Sequence, residues 1–517
     1  MKKRQFLLLF LLLLITYQGI AQQNYTISGY IRSSETGEAL IGATVLEKEL
    51  YKGTMGNAYG FYSITLPEGI HSIQYSFMGN ISKTESIELT GNLSKNVELQ
   101  QASVEIAEVV ISKEASDKNV RAPEMGVVKI SPKDVVSVPV LFGEQDILKT
   151  ISLLPGVKSA GEGNSGFYVR GGSADQNLII LDEAPVYSSG HLLGFFSVFN
   201  SDAVKDMEFY KGNAPANYGG RLSSVLDIQM KEGNSKTAAV SGGIGLIASR
   251  LTIEAPIVKD KGSFIISGRR TYADIFLPLW KDPAAKSTKL YFYDFNAKGN
   301  FKINDKNRVF ISGYFGRDIF RISDLVGFNW GNKTATVRWN HIFGNKLFLN
   351  SSLIYSDYNY GIGYNAGELL EVTSGIKDYN LKEDFQYYIN TKSTVKFGFN
   401  TIYHTFRPGE LKSENEDFSN SKIIGKKHTV ESAAYISHKF DLSDRLIFNY
   451  GLRYSNCSVI GPDTVYTYNE NDQIINTTGY PRGDIIQNYG TLEPRVTINY
   501  VVNERMSVKM SYARNAQ

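Results

Sequence analysis

Along the second half of the chain, apolar and polar side chains alternate with a period of two. Between 394 and 404, Val395, Phe397, Phe399, Thr401 and Tyr403 share one face, and Thr394, Lys396, Gly398, Asn400 and His404 share the other. Between 445 and 455, Leu446, Phe448, Tyr450, Leu452 and Tyr454 oppose Arg445, Asn449, Gly451, Arg453 and Ser455. Met506, Val508, Met510 and Tyr512 oppose Ser507, Lys509 and Ser511. Successive strand residues point to opposite faces, so each stretch predicts a strand with one apolar and one polar side. Runs of about ten such residues, apolar outward and polar inward, are the pattern of transmembrane β-barrels. Tight polar turns recur at 259–262 (KDKG), 304–307 (NDKN), 344–346 (GNK), 390–392 (NTK), 442–445 (LSDR) and 503–505 (NER). Long stretches rich in Gly and Asn lie between them at 361–375, 408–427 and 461–484. Short turns at one end and long loops at the other are the asymmetry of such barrels, and two strands per short turn predicts about 12 strands. The expectation over 233–517 is therefore an antiparallel transmembrane β-barrel.

The first half is patterned differently. Residues 25–100 read as short strands, among them 25–31 (YTISGYI), 43–46 (ATVL), 60–66 (GFYSITL) and 72–77 (SIQYSF), parted by turns such as 35–37 (ETG) and 67–69 (PEG). Such spacing predicts a β-sandwich. A polar linker follows over 101–118. Over 119–232, short apolar runs alternate with Gly, Asn and Pro, as in 154–157 (LPGV), 168–172 (YVRGG), 179–185 (IILDEAP) and 217–228 (NYGGRLSSVLDI). That predicts a small α+β domain with tight turns, so the fold class as a whole is mainly β.

At the N-terminus, Lys2, Lys3 and Arg4 precede an unbroken apolar run over 6–15, and 19–21 (GIA) offers small residues for cleavage. Residues 1–21 read as a secretory signal peptide; the run is shorter than the roughly 20 residues a spanning helix needs. The 55 basic and 52 acidic residues nearly balance, which argues against a nucleic-acid partner bound through a basic surface. The 32 Tyr and 28 Phe suit strands and membrane-interface girdles. Cys457 is the one cysteine, so no intramolecular disulfide is possible and its role is open.

Enzyme signatures do not assemble. Residues 243–248 (GIGLIA) match GxGxxA without a βαβ context and read as small residues in a strand. The six histidines contain no HExxH pair, and no zinc-ligand cluster accompanies His71. Asp182 and Glu183 are adjacent, so on a strand they point to opposite faces and cannot pair. No cofactor or metal is expected.

The order of these segments resembles a TonB-dependent outer-membrane receptor of the Bacteroidetes type. Residues 37–45 (GEALIGATV), 53–54 (GT) and 57–62 (NAYGFY) resemble the carboxypeptidase-regulatory-like domain that precedes the plug in such receptors. The resemblance implies a plug over 119–232 inside the barrel, an outer-membrane location with the sandwich in the periplasm, and outer-membrane lipid around the wall. It also implies a barrel of about 22 strands, so that 233–517, with about 12 and an unpaired edge that lipid does not tolerate, is expected to be an incomplete barrel, the first part of a longer one. It implies capture of a scarce extracellular ligand (iron chelate, cobalamin, peptide or glycan) and import driven through the TonB energy-transducing protein. A surface receptor that binds or signals without translocation is the alternative.

Individual residues take two readings each. Glu108, Val109, Val110 and Ile111 are either an edge strand or a TonB box, which would pair with its partner by β-augmentation. Arg170 is either a solvated turn arginine or, as the resemblance implies, a lock to glutamates of the barrel wall. The second arginine of that lock has no counterpart, because the place reads 211–213 (KGN), and lysine cannot make the bidentate fork. Two plug loops, 158–165 and 187–191, are placed at the outward apex by resemblance. Tyr187, His191, Phe195 and Phe196 are then candidate ligand contacts, the phenylalanines being equally suited to fill the plug core.

Overall fold

The computed structural model describes residues 23–102, 120–122, 124–136, 138, 144–161, 166–281, 283–322, 325–365, 369–413 and 424–517. The predicted signal peptide and the segment from Glu108 to Ile111 lie outside the described residues. The chain forms two compact units.

The N-terminal unit holds β1 (Asn24–Ser33), β2 (Thr44–Glu47), β3 (Lys52–Met55), β4 (Phe61–Pro67), β5 (Gly69–Ser76), β6 (Lys83–Leu89), β7 (Leu93–Ser94) and β8 (Val97–Leu99). One sheet runs β4-β1-β7, with β8 also on β1, and the other runs β3-β2-β5-β6. Alternate residues of the two sheets bury Ile27, Ile31, Val45, Ile64, Leu66, Ile73 and Leu89 between them, as a sandwich requires. Tyr62 and Tyr75 meet edge to face in that core, 5.7 Å between centroids.

The second unit opens with the plug. Its elements are β9 (Val127–Ile130), α1 (Pro132–Val136), α2 (Ile147–Ser152), β10 (Val157–Ser159), β11 (Phe167–Val169), β12 (Asn177–Leu181), β13 (Ala184–Pro185), β14 (Gly190–His191), β15 (Phe196–Ser197), β16 (Val204–Lys211) and β17 (Ser224–Met230). The main sheet runs β13-β12-β17-β16-β9. Helix α2 starts at Asp146, whose carboxylate caps the Lys149 amide, and buries Ile147, Leu148 and Ile151. These pack on Val169, Met207, Phe209, Leu226 and Ile228.

The wall follows as β18 (Ala239–Ile244), β19 (Ala248–Val258), β20 (Gly262–Thr271), β21 (Lys289–Asn304), β22 (Asn307–Ile322), β23 (Val326–Ile342), β24 (Leu347–Asn365), β25 (Leu369–Asn390), β26 (Ser393–Ser413), β27 (Lys427–Asp441), β28 (Leu446–Ile460), β29 (Asp463–Tyr468), β30 (Ile474–Tyr480), β31 (Ile485–Asn503) and β32 (Met506–Ala513). Thirteen of these pair antiparallel in one sheet in chain order, while β29 and β30 form a separate hairpin. That is one strand more than the short turns predict, because β18 joins β19 ahead of the first of them. The stretch 243–248 (GIGLIA) is this junction. Phe295, Phe399 and Leu452 point outward and stay exposed, while Asp294, Asn300 and Arg453 point inward and are buried.

One loop prediction fails. Residues 361–375 are not a long loop: β24 and β25 continue through Gly361 and Gly375 in unbroken register, up to Asn365 and Leu369. Ile362, Tyr364 and Val372 keep the alternation on the inward face, and the glycines fall on the outward one. Strand β25 is 22 residues long, about twice what a tilted strand needs to cross a bilayer, so the wall rises well beyond the membrane on the long-loop side.

Candidate functional site

Plug and wall meet through a graded set of buried polar contacts. Nearest the short turns, Glu232 accepts from Lys205 at 3.0 Å and pairs with Arg308 of β22 at 3.2 Å. Further up, Asp182 and Glu183 form the two-residue turn between β12 and β13, both with left-handed backbones (φ 49° and 76°). They sit on a turn and not on a strand, so the expectation that they face opposite ways does not apply: both reach the wall. Asp182 takes Lys298 Nζ at 2.8 Å and the Met230 amide at 3.2 Å. Burial opposes its charge, but Lys298 and Arg338 outweigh burial and hold its pKa low. Glu183 accepts from Asn350 at 2.9 Å, with Arg338 at 3.7 Å.

Toward the long-loop side, the loop with β14 is read by wall side chains. Asn332 accepts from the Tyr187 and Ser188 amides at 3.2 and 3.3 Å and donates to the Ser188 carbonyl at 2.7 Å. The Tyr187 hydroxyl donates to Asp378 at 2.5 Å, and the other Asp378 oxygen faces His404 Nδ1 at 2.7 Å. Burial and Asp378 together push the Tyr187 hydroxyl pKa well above its usual value. His191 is 1% exposed. Its Nδ1 lies 2.6 Å from Asp318 and its Nε2 3.3 Å from Asp294, and its ring stacks on Phe292 at 4.0 Å. Burial disfavours a charged ring, but the two carboxylates prevail and raise the His191 pKa. Asp294 also holds Arg269, which donates onward to the Ser197 carbonyl.

Three of the four candidate ligand contacts are engaged between plug and wall. His191 and Phe196 are buried between plug and wall, Phe196 packing with Leu192 and Phe292. Tyr187 spends its hydroxyl on the wall. Phe195 alone of the four is well exposed.

The lock is also arranged differently from the expectation. Arg170 is exposed with a left-handed backbone (φ 51°), beside Gly126 and Gly212, and forms no ion pair with the wall among the described residues. Lys211 stays within the plug, its ammonium donating to the Pro155 carbonyl at 3.0 Å. Guanidinium contacts come instead from the wall. Arg495 donates to the Ala214 carbonyl at 2.8 Å and to Glu493 at 3.0 Å. Arg453 reaches the Ala216 carbonyl at 3.4 Å and Glu493 at 3.8 Å. Its guanidinium fills the space a side chain at Gly219 would need: a Cβ there would lie 2.3 Å from Arg453 Nε. The alternation had put Arg453 on the polar face, but no local signal distinguishes it from solvated lumen residues.

Above this interface the inward positions of β22 to β25 turn aromatic and uncharged. Phe320 and Phe328 stack at 6.0 Å, Tyr358 sits 6.5 Å from Tyr187 and 6.3 Å from Tyr360, and the Trp330 indole donates to the Gly190 carbonyl at 3.3 Å. Ile362 and Tyr364 continue the face and are largely exposed. Sequence reasoning missed the upper part of this lining, Ile362 and Tyr364, because 361–375 reads as a loop.

Comparison with known proteins fits this architecture. Residues 27–111 match the family described as CarboxypepD_reg-like domain, 133–224 the TonB-dependent Receptor Plug Domain, and 270–517 the TonB dependent receptor-like β-barrel. TonB-dependent receptor P3 of Formosa agariphila is 23% identical over 330 residues, which are 60% of this chain and 31% of that protein. Among solved structures, the siderophore receptor PirA of Acinetobacter baumannii matches at TM-score 0.53 and 15% identity, over 77% of this chain and 62% of that one. The Serratia marcescens hemophore receptor HasR matches at TM-score 0.55 and 12% identity, over 77% and 64%. The chain thus spans less than two thirds of the length of each. Three families in this order, on a wall of strands packed around a plug, show that the chain belongs to the TonB-dependent receptors, β-barrel proteins of the outer membrane and not enzymes.

Proposed function

We propose that this receptor captures a scarce ligand at the cell surface and imports it through the barrel, with energy delivered by TonB. One observation supports this most: the plug is held to the wall by many buried polar and ionic contacts, from Glu232 to His191, and the apolar contact between them is confined to a small cluster around Leu192, Phe196 and Phe292 and to Tyr314. Such contacts can be exchanged for water when the plug is pulled, whereas a fused hydrophobic core would resist it. Glu108, Val109, Val110 and Ile111 are the proposed TonB box, lending a strand to the partner.

The ligand surface in this reading is the aromatic vestibule on β22 to β25 with Phe195 of the plug. Aromatic side chains there would stack on the uncharged ring faces of a ligand, as a glycan or a macrocycle presents them. The related structures are named for siderophores and a hemophore, but the inward vestibule positions carry no charge to hold an anionic chelate. Uptake by cells carrying the full-length receptor tests the proposal: accumulation should stop when the proton gradient is collapsed while surface binding persists. Accumulation that survives collapse would leave a receptor without energised transport.

A further inference from the structure

We propose that the outward face of β22 to β26 binds a phosphate group carried by a membrane lipid. The outward aromatic belt on the long-loop side runs through Tyr293 and Phe315, 5.9 Å apart, and through Tyr355 and Tyr379, 5.4 Å apart. Such belts mark the membrane interface. Along each strand the next outward position lies about 7 Å further from the membrane centre. Above the belt the next outward positions are Arg317 after Phe315 and Lys377 after Tyr379; Lys333 pairs with Phe315, and Arg407 lies two outward steps beyond Tyr403.

The four cations converge and do not scatter. Register puts Lys333 and Lys377 on either side of Asp357. One step higher the row reads Arg317, Gly331, Asn359, Gly375, Arg407. The two glycines let the flanking arginines lie flat across the wall. A Cβ at Gly331 would come within 3.1 Å of Arg317 Cδ, and one at Gly375 within 2.9 Å of Arg407 Nη2. Arg317 donates to Asn359 at 2.5 Å and also to Asn329; Arg407 donates to Asp357 at 3.0 Å. The Lys333 ammonium rests over the Phe315 ring at 5.7 Å. Among the described residues Asp357 is the one carboxylate within the cluster, and Glu371 lies further toward the loops. Four cations against one anion, half-exposed and facing the headgroup layer, complement a phosphate presented by lipid. A solvated basic surface has no reason to stop at the aromatic belt or to be floored by glycine.

Native mass spectrometry of the full-length protein in micelles doped with bis-phosphorylated lipid A tests this. The protein should retain lipid A and not its dephosphorylated form, and excess inorganic phosphate should not displace it. R317Q/R407Q should lower retention on the order of tenfold or more, with the barrel still folded by heat-modifiable gel mobility. If that variant does not fold, K333Q/K377Q should show the same loss. Equal retention of dephosphorylated lipid A, or retention unchanged in a folded variant, would overturn the proposal. Displacement by inorganic phosphate would overturn it too, in favour of a free-anion site.

Discussion

His191 of the plug and Asp318 of β22 meet at 2.6 Å, with the Leu192 amide donating to the other Asp318 oxygen at 2.7 Å. One wall carboxylate thus fixes both a plug side chain and the backbone that follows it. With Asp294 on the far side, the imidazole is clamped between two wall strands, and its ring covers Phe292. A buried pair that loses one partner leaves the other charge without compensation, which costs more than the pair itself contributes.

His191→Gln in the full-length receptor should therefore destabilise the plug by about 3 kcal/mol or more at pH 6. The sign with pH follows from the raised His191 pKa. The contribution is fully present below the unfolded value of about 6.5 and is lost as pH rises through the folded value. Thermal unfolding at pH 6 and pH 9 should show the gap between wild type and variant narrowing in alkali. A gap independent of pH would mean that His191 acts by packing alone.

Asp227 on β17 shows the opposite balance. Burial pushes its pKa up to about 7, although the Tyr218 hydroxyl donates to it at 2.6 Å. The folded value lies above the unfolded one, so stability falls as pH rises from about 4 to about 7, where the buried carboxyl must ionise. Asp227→Asn keeps an acceptor for Tyr218 and removes that cost. It should stabilise the plug on the order of 2–4 kcal/mol at pH 8 and hardly at all at pH 4, as read by unfolding midpoints.

Gly219→Ala should loosen the loop over 214–220 from the wall. The added methyl needs the space of the buried Arg453 guanidinium, which must then leave the Ala216 carbonyl and Glu493. The expected loss is about 1–3 kcal/mol, with faster hydrogen exchange in that loop. Unchanged exchange would show that Arg453 shifts freely.

Phe328→Ala and Tyr360→Ala test the vestibule. Each should weaken binding by about 1 kcal/mol or more against whichever of neutral oligosaccharides, cobalamin and ferric chelates the full-length receptor binds. His191→Gln should change affinity only through plug stability. Binding lost in His191→Gln with a folded plug, and kept in both aromatic variants, would return the site to the plug loops.

Val109→Pro tests the proposed TonB box. Proline removes a donor and the pairing geometry, so accumulation should vanish while surface binding remains. Normal accumulation would sink the energised-transport reading.

Strand identity, facing and the position of the tight turns were legible in the sequence, because a period-two alternation has the same meaning wherever the strand lies. The outward set from Val395 to Tyr403 and the inward placement of Arg453 follow from that pattern without any tertiary knowledge. The sandwich was legible for the same reason: its short alternating strands have one buried face each. What the pattern cannot carry is the identity of the partner across a gap. Whether Arg170 or Arg453 supplies a guanidinium to the plug–wall seam depends on contacts separated by more than two hundred residues, as between Arg453 and Ala216. Likewise, His191 and Phe196 look like loop residues free to meet a ligand until β21 and β22 are packed against them. The glycines at 361 and 375 read as loop in one dimension. In three dimensions they are outward strand positions, where the lack of a side chain makes room for neighbours such as Arg407, and the inward face of Ile362, Tyr364 and Val372 between them appears only once the strands are paired.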